Sequence, residues 1–161
     1  MKKRSTIQLG TFEQESGVMI ISDPFYQKNA GFCNILRGVL PGKWQAAAEM
    51  SDERRFGMRI SRLSVSHESY FGEDLLLAHF KVGSVSGQTG IFDAGYYLND
   101  ENGLNADWYN QCCIITRGKK QADTLSHGCI SASGYGDGCY PVRIAFNSRY
   151  RIVKIEVTFI S

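Results

Sequence analysis

The C-terminal end constrains this chain more than any other stretch. Val153, Ile155, Val157 and Phe159 alternate with Lys154, Glu156 and Thr158, and just upstream Val142, Ile144 and Phe146 alternate with Arg143 and Ala145. A period of two puts apolar side chains on one face of an extended strand and the rest on the other. Asn147-Ser148 lies between the two runs as a turn, so the pair predicts an antiparallel hairpin. Strand-like runs recur at short spacing upstream. Val18–Ile21 is apolar and stops at Ser22-Asp23-Pro24, because proline cannot donate to a ladder. Ile35–Leu40 ends at Pro41-Gly42, a turn signal, with Lys43–Glu49 expected to return as its partner strand. Phe56–Val65 has Met58 and Ile60 on one parity and Leu63 and Val65 on the other, which a β-bulge near Ser61-Arg62 would reconcile. Leu75–Val82 reads as a buried strand, and Cys112–Thr116 is apolar again. Residues 104–111 form the best helix candidate, capped by Asn102 or Asn105.

These elements predict an all-β, mostly antiparallel chain: a single domain over 1–161, built as a β-sandwich or open barrel with one short helix. Composition agrees. With 161 residues, 43% hydrophobic and 21% charged, the chain has the size and balance of one folded domain and excludes disorder throughout. No apolar run approaches the roughly 18–20 residues of a membrane span, so no membrane partner is expected. A net charge of +2 gives no strong nucleic-acid signal. The basic start Met1-Lys2-Lys3-Arg4 is followed by polar residues rather than an apolar core, so export is not expected and the chain is read as cytoplasmic. Most of the five cysteines (Cys33, Cys112, Cys113, Cys129, Cys139) are then expected to be free thiols, none in a C-x-x-C pair, with the odd count leaving room for an intermolecular disulfide. No metal centre and no cofactor are expected.

Two segments look built for something other than a plain strand. Residues 126–141 carry Gly128, Gly134, Gly136 and Gly138 around Tyr135 and Asp137. Such spacing lets the backbone turn sharply and lets another group come close. It serves either a tight connection, with Asp137 closing an Asx turn, or a loop facing a ligand. No Walker-type lysine accompanies it, so it is not a phosphate-binding P-loop. Residues 86–93 place Ser86, Gln88 and Asp93 beside a strand start, which serves either as a loop with a satisfied Asp93 or as a site that brings Gln88 and Asp93 against the Gly-rich loop. Arg54-Arg55 and Lys119-Lys120 read as solvated turns that a small anion could use.

Four motifs taken in order carry a resemblance. They are Ser22-Asp23-Pro24, Pro41-Gly42-Lys43-Trp44, Ser86-Gly87-Gln88-x-Gly90-Ile91-Phe92-Asp93 and Ser133-Gly134-Tyr135-Gly136-Asp137-Gly138-x-Tyr140-Pro141. Together they resemble a set of uncharacterised bacterial and phage β-rich proteins. The resemblance implies an all-β domain and a shared site at Asp23, Ser86, Gln88, Asp93, Tyr135 and Asp137. It implies no reaction. The expected function is a non-catalytic binding protein with its site at the Gly-rich loops, holding a protein partner or a small polar ligand such as a nucleotide. In a phage or mobile element, such a protein would capture a host defence protein or a nucleotide signal.

A second resemblance competes with the first. Ser126-His127-Gly128-Cys129-Ile130 is similar to the nucleophile motif of L,D-transpeptidases, with Ser131 where that motif carries arginine. It implies a cysteine-dependent acyl transferase or hydrolase with Cys129 as nucleophile and His127 lowering its pKa. A purely structural interaction module is the third alternative.

Overall fold

The computed structural model describes residues 2–161; Met1, the first residue of the basic start, lies outside them. In chain order the strands begin with β1 (Arg4–Gln14), β2 (Val18–Ser22), β3 (Asn34–Arg37), β4 (Gly42–Asp52), β5 (Met58–His67), β6 (Leu75–Ser84) and β7 (Gln88–Asp93). They continue with β8 (Asn99–Asp100), β9 (Gly103–Leu104), β10 (Ala122–Leu125), β11 (Gly128–Ala132), β12 (Gly138–Phe146) and β13 (Ile152–Thr158). One helix, α1 (Ala106–Arg117), separates β9 from β10.

The strands form a six-stranded sheet in the order β1-β4-β5-β13-β12-β6 and a five-stranded sheet in the order β10-β11-β7-β2-β3. Every ladder between these strands is antiparallel. The main core lies between the sheets. Trp44, Leu63, Val142, Ile155 and Val157 from the larger sheet meet Met19, Ile21, Ile91 and Cys129 from the smaller one. The fold is therefore a sandwich and not a barrel. A second core lies on the other side of the smaller sheet, where Ile20, Phe92 and Ile130 pack under Trp108 and Cys112 of α1. The smaller sheet is thus covered on both faces, and all six residues of β7 are buried. The outer face of the larger sheet carries the charged chain Arg4–Glu49–Arg62–Glu156.

The terminal hairpin forms as its alternation requires, with Val142 opposite Val157 and Ile144 opposite Ile155. The register fault in β5 is a bulge: Glu49 pairs with Arg62 and Met50 with Ile60, leaving Ser61 as the extra residue. Its hydroxyl donates to the Glu49 carboxylate (2.7 Å).

Other expectations are corrected. Ile35–Leu40 and Lys43–Glu49 do not pair. β3 pairs with β2 in one sheet, while β4 pairs with β1 and β5 in the other. Gly38–Pro41 crosses between the sheets, held by Val39 N–H on the Gly17 carbonyl (3.0 Å) and Leu40 N–H on that of Ile152 (3.0 Å). Leu75–Val82 is only partly buried, because β6 is an edge strand: Val82 lies in the core and Ala78 and Phe80 pack on it, while Leu76, Leu77, His79 and Lys81 are exposed. Cys112–Thr116 is helical rather than extended, the second half of α1, and Asn105 is the residue that caps the helix, accepting from Trp108 N–H (3.0 Å). All five cysteines are free.

Candidate functional site

The two Gly-rich segments meet. The turn between β6 and β7 offers its Gly87 carbonyl to the Ser133 N–H (2.9 Å). Below that contact, the Ser133 hydroxyl joins those of Ser84 (3.1 Å) and Thr89 (2.8 Å) in a buried cluster. Beyond Ser133 the chain turns back on itself. Gly136 N–H donates to the Ser133 carbonyl (2.7 Å), and the Tyr140 hydroxyl donates to the Gly136 carbonyl. Gly134 has φ +55°, and a Cβ there would stand 3.0 Å from the Cβ of Phe159. Only glycine serves both the left-handed backbone and the close approach.

Beside this junction is a groove of about 360 Å³, bounded by Gly87, Gly134 and Gly136 and by Phe56, Met58, Arg59, Arg117 and Tyr135. Arg59 is fixed at its wall. Its Nη1 donates to the Gly134 carbonyl (3.2 Å), its Nε to the Phe56 carbonyl (3.1 Å), and its guanidinium lies 4.9 Å from the centre of the Tyr135 ring. Tyr135 is half-exposed, meets Phe56 edge to face at 5.8 Å, and donates its hydroxyl to Glu53. Glu53 is buried. It also accepts from Lys2 Nζ (2.8 Å) and Ser51 Oγ (2.5 Å), and these bonds, that of Lys2 foremost, hold its carboxyl down at about 2. The Glu53 charge is thus matched from below the ring. Among the described residues, Arg54, Arg55, Arg59, Arg117 and Lys119 form no ion pair. The groove therefore combines unpaired cations with two exposed aromatic rings, a combination suited to an anion that carries a flat ring.

The residues singled out from the sequence do not gather in one place. Asp23 is fully buried. Its Oδ2 accepts from Val85 N–H (2.9 Å) and Ser86 N–H (2.7 Å), and its Oδ1 from Phe25 N–H (2.9 Å) and Ser86 Oγ (2.7 Å). Asp23 and Ser86 thus bind each other and fix the β6–β7 turn. Gln88 holds α1 to β7, accepting from Thr116 Oγ1 (3.2 Å) and donating to Cys113 Sγ (3.5 Å).

Asp93 lies at the other end of β7 from Gln88, against the β1–β2 turn rather than the Gly-rich loop. It accepts from Glu15 N–H (2.6 Å), Ser16 Oγ (2.5 Å) and Gly95 N–H (3.0 Å). Burial alone would raise its carboxyl, but the Ser16 hydroxyl and backbone donors outweigh that and hold it below the usual range. Tyr135 is at the groove. Asp137 is exposed beside it and closes no Asx turn, making no hydrogen bond among the described residues.

Cys129 and His127 do not form a nucleophilic pair. Cys129 is wholly buried in the inter-sheet core, and burial pushes its thiol up to about 12. A thiol in that state is protonated at neutral pH and is not a nucleophile. The His127 ring nitrogens face Ser126 Oγ (3.1 Å) and Glu15 Oε1 (3.5 Å), and its ring stacks on Tyr96 at 3.4 Å. It borders a second cavity of about 510 Å³ over Trp108 and Phe92.

Sequence reasoning missed Arg59, Arg117, Phe56 and Glu53. The one available signal was the run Arg54-Arg55, read as a solvated turn. Fold and groove together define a helix-backed antiparallel β-sandwich with a cationic, aromatic groove at one end. No protein-family model matches the chain, and no curated protein or solved structure is similar to it.

Proposed function

We propose that this protein is a non-catalytic binding protein that takes an anionic, ring-bearing ligand of the nucleotide class in the groove beside its Gly-rich loops. The observation that carries this reading is the pairing of unpaired Arg59 and Arg117 with the anchored Tyr135 ring around one groove of about 360 Å³. A guanidinium fork suits a phosphate, and an aromatic face suits a base. The loop glycines supply little but backbone; charge comes from Arg59 of β5 and Arg117 at the end of α1, and stacking from Tyr135 of the loop and Phe56 between β4 and β5. Were the chain a phage or mobile-element protein, such a groove would serve to capture a nucleotide signal.

The test is calorimetric titration with ATP, a linear dinucleotide and inorganic phosphate. The nucleotides are expected to bind more tightly than phosphate, with affinity falling as salt rises. Arg117→Ala, an exposed position, is expected to weaken binding about tenfold, the effect of losing roughly 1.5 kcal/mol from one charged hydrogen bond. Asp137→Asn removes a negative charge beside the groove and is expected to tighten binding. Absence of nucleotide binding at millimolar concentration, or equal binding by Arg117→Ala, would rule the reading out.

A further inference from the structure

The flank opposite β1 carries an edge that the fold leaves open. Alternation along β6 is regular. Leu76 pairs with Ile144, which faces the core, and Ala78 and Phe80 pack on the core, so the even positions point inward. Leu77 pairs with Arg143 on the outer face, together with Leu75, His79 and Lys81. Yet Leu76 is 57% exposed and Leu77 69%. The inward Leu76 is uncovered because the smaller sheet ends at β3, a strand of four residues. Asn34 of β3 reaches only as far as the Lys81 carbonyl (3.2 Å). On the other side, the ladder to β12 skips Ala78, His79 and Phe80. Phe71, just before the strand, is 96% exposed. A long apolar edge with open backbone groups is a template for another strand.

We propose that β6 pairs antiparallel with β6 of a second copy of this chain, about a two-fold axis at Leu77. Charge selects this occupant. The edge is acidic at one end, Glu73-Asp74, and basic at the other, His79 to Lys81, with leucines between. An identical strand run antiparallel matches each end to its opposite. With the axis at Leu77, Leu77 stands against Leu77, Leu75 against His79, and Glu73 against Lys81, twice over. Leu75, Leu77, His79 and Lys81 are odd positions on the outer face of β6, and Glu73 lies in the turn just before it, so the register keeps the faces aligned. Neither Glu73 nor Lys81 has an ion-pair partner within its own chain among the described residues. The contact is isologous and closed, joining the two larger sheets into one continuous sheet.

Sedimentation velocity over a micromolar concentration series tests the proposal, with thermal melts as the check on folding. The native chain is expected to be a dimer, and Leu77→Lys a monomer with an unchanged melt. Glu73→Lys and Lys81→Glu each create two like-charge contacts and are expected to weaken self-association about tenfold. Mixed in equal amounts, the two variants are expected to form a heterodimer. One chain then carries lysine at both positions and the other glutamate at both, so each end contact sets opposite charges together. A native chain that stays monomeric, a dimer that survives Leu77→Lys, or a mixture no tighter than its components would overturn it. Binding of a different protein by β6 without self-association would also overturn it.

Discussion

Asp23→Asn separates a structural carboxylate from a ligand-contacting one. The native side chain accepts four hydrogen bonds, three of them from backbone N–H groups that stay in place when it changes. In its best orientation an asparagine keeps its oxygen toward Val85 and Ser86. Its NH2 then points at the Phe25 N–H, donor against donor. That leaves a buried donor unsatisfied, costing about 1–3 kcal/mol, and the two retained bonds lose their charge assistance. The expected loss is about 3 kcal/mol, which for a chain of this size lowers the melting temperature by roughly 6–12 °C. The assay is thermal unfolding followed by circular dichroism, paired with the nucleotide titration at a temperature where the variant is folded. Affinity is expected to be retained, because Asp23 is not among the residues that bound the groove. A melting temperature within about 2 °C of the native value, with binding lost, would refute the reasoning and return Asp23 to the ligand.

Three further outcomes follow from burial and charge. Gly90→Ala puts a Cβ 2.1 Å from Phe92 Cζ and 2.9 Å from the Cys129 carbonyl oxygen, with the ring held by Tyr97 and Trp108, so a fall in the urea midpoint worth about 3 kcal/mol is expected. In thiol titration with Ellman's reagent, exposed Cys139 is expected to react at once and buried Cys33, Cys112 and Cys129 only after denaturation; fast labelling of Cys129, located by peptide mapping, would count against its core position. The Glu53 carboxyl sits at about 2 against an ordinary 4.5, so its stabilising contribution is full above 4.5 and lost as pH falls toward 2; Glu53→Gln is expected to flatten that limb of the stability–pH curve, read by chemical denaturation from pH 5 to 2.

Much of the architecture was legible where a strand has one wet face. The terminal hairpin and the Ser61 bulge followed from parity alone, because the larger sheet is covered on one side only. Legibility failed where the register breaks within a strand and where both faces of a sheet are covered. In β1 the register shifts between Gln8 and Gly10, so Ile7 and Leu9 fall out of step with Phe12 and Gln14. β11 lies in the doubly covered sheet, where Gly128-Cys129-Ile130-Ser131 shows no alternation and the glycines read as loop. Gly128 is needed there because a Cβ would stand 2.6 Å from the Ile91 carbonyl oxygen of β7. The α1 extension through Cys113, Ile114 and Ile115 runs against the modest helix propensity of such residues. Packing of Trp108 and Cys112 on Phe92 and Ile130 decides it. The supposed pairing across Pro41-Gly42 rested on chain proximity. The contacts that send Val39 and Leu40 to Gly17 and Ile152 are long-range and leave no local trace.

The candidate site divides in the same way, for a reason that bears on how it can bind. Asp23 and Asp93 were visible because each ends an apolar strand, but a carboxylate ringed by backbone donors reads in sequence like one awaiting a ligand. Only the positions of Val85, Ser86, Glu15 and Gly95 tell the two apart. The Gly-rich loop was visible for the opposite reason: it has almost no side chains. Glycine at 134 and 136 is what lets the chain fold back under Arg59 and Tyr140, so the loop determines the groove's shape and contributes little charge. Apart from the Tyr135 ring, affinity has to come from neighbours that arrive from elsewhere in the chain: Arg59 at the start of β5, Arg117 at the end of α1 and Phe56 between β4 and β5. None of these carries a motif, because Arg59 meets the Gly134 carbonyl and the Tyr135 ring only through the fold, and the exposed Arg117 needs no particular residue beside it. Substitutions of Gly134 and Gly136 are therefore expected to act first on folding, and those at Arg117 on binding alone.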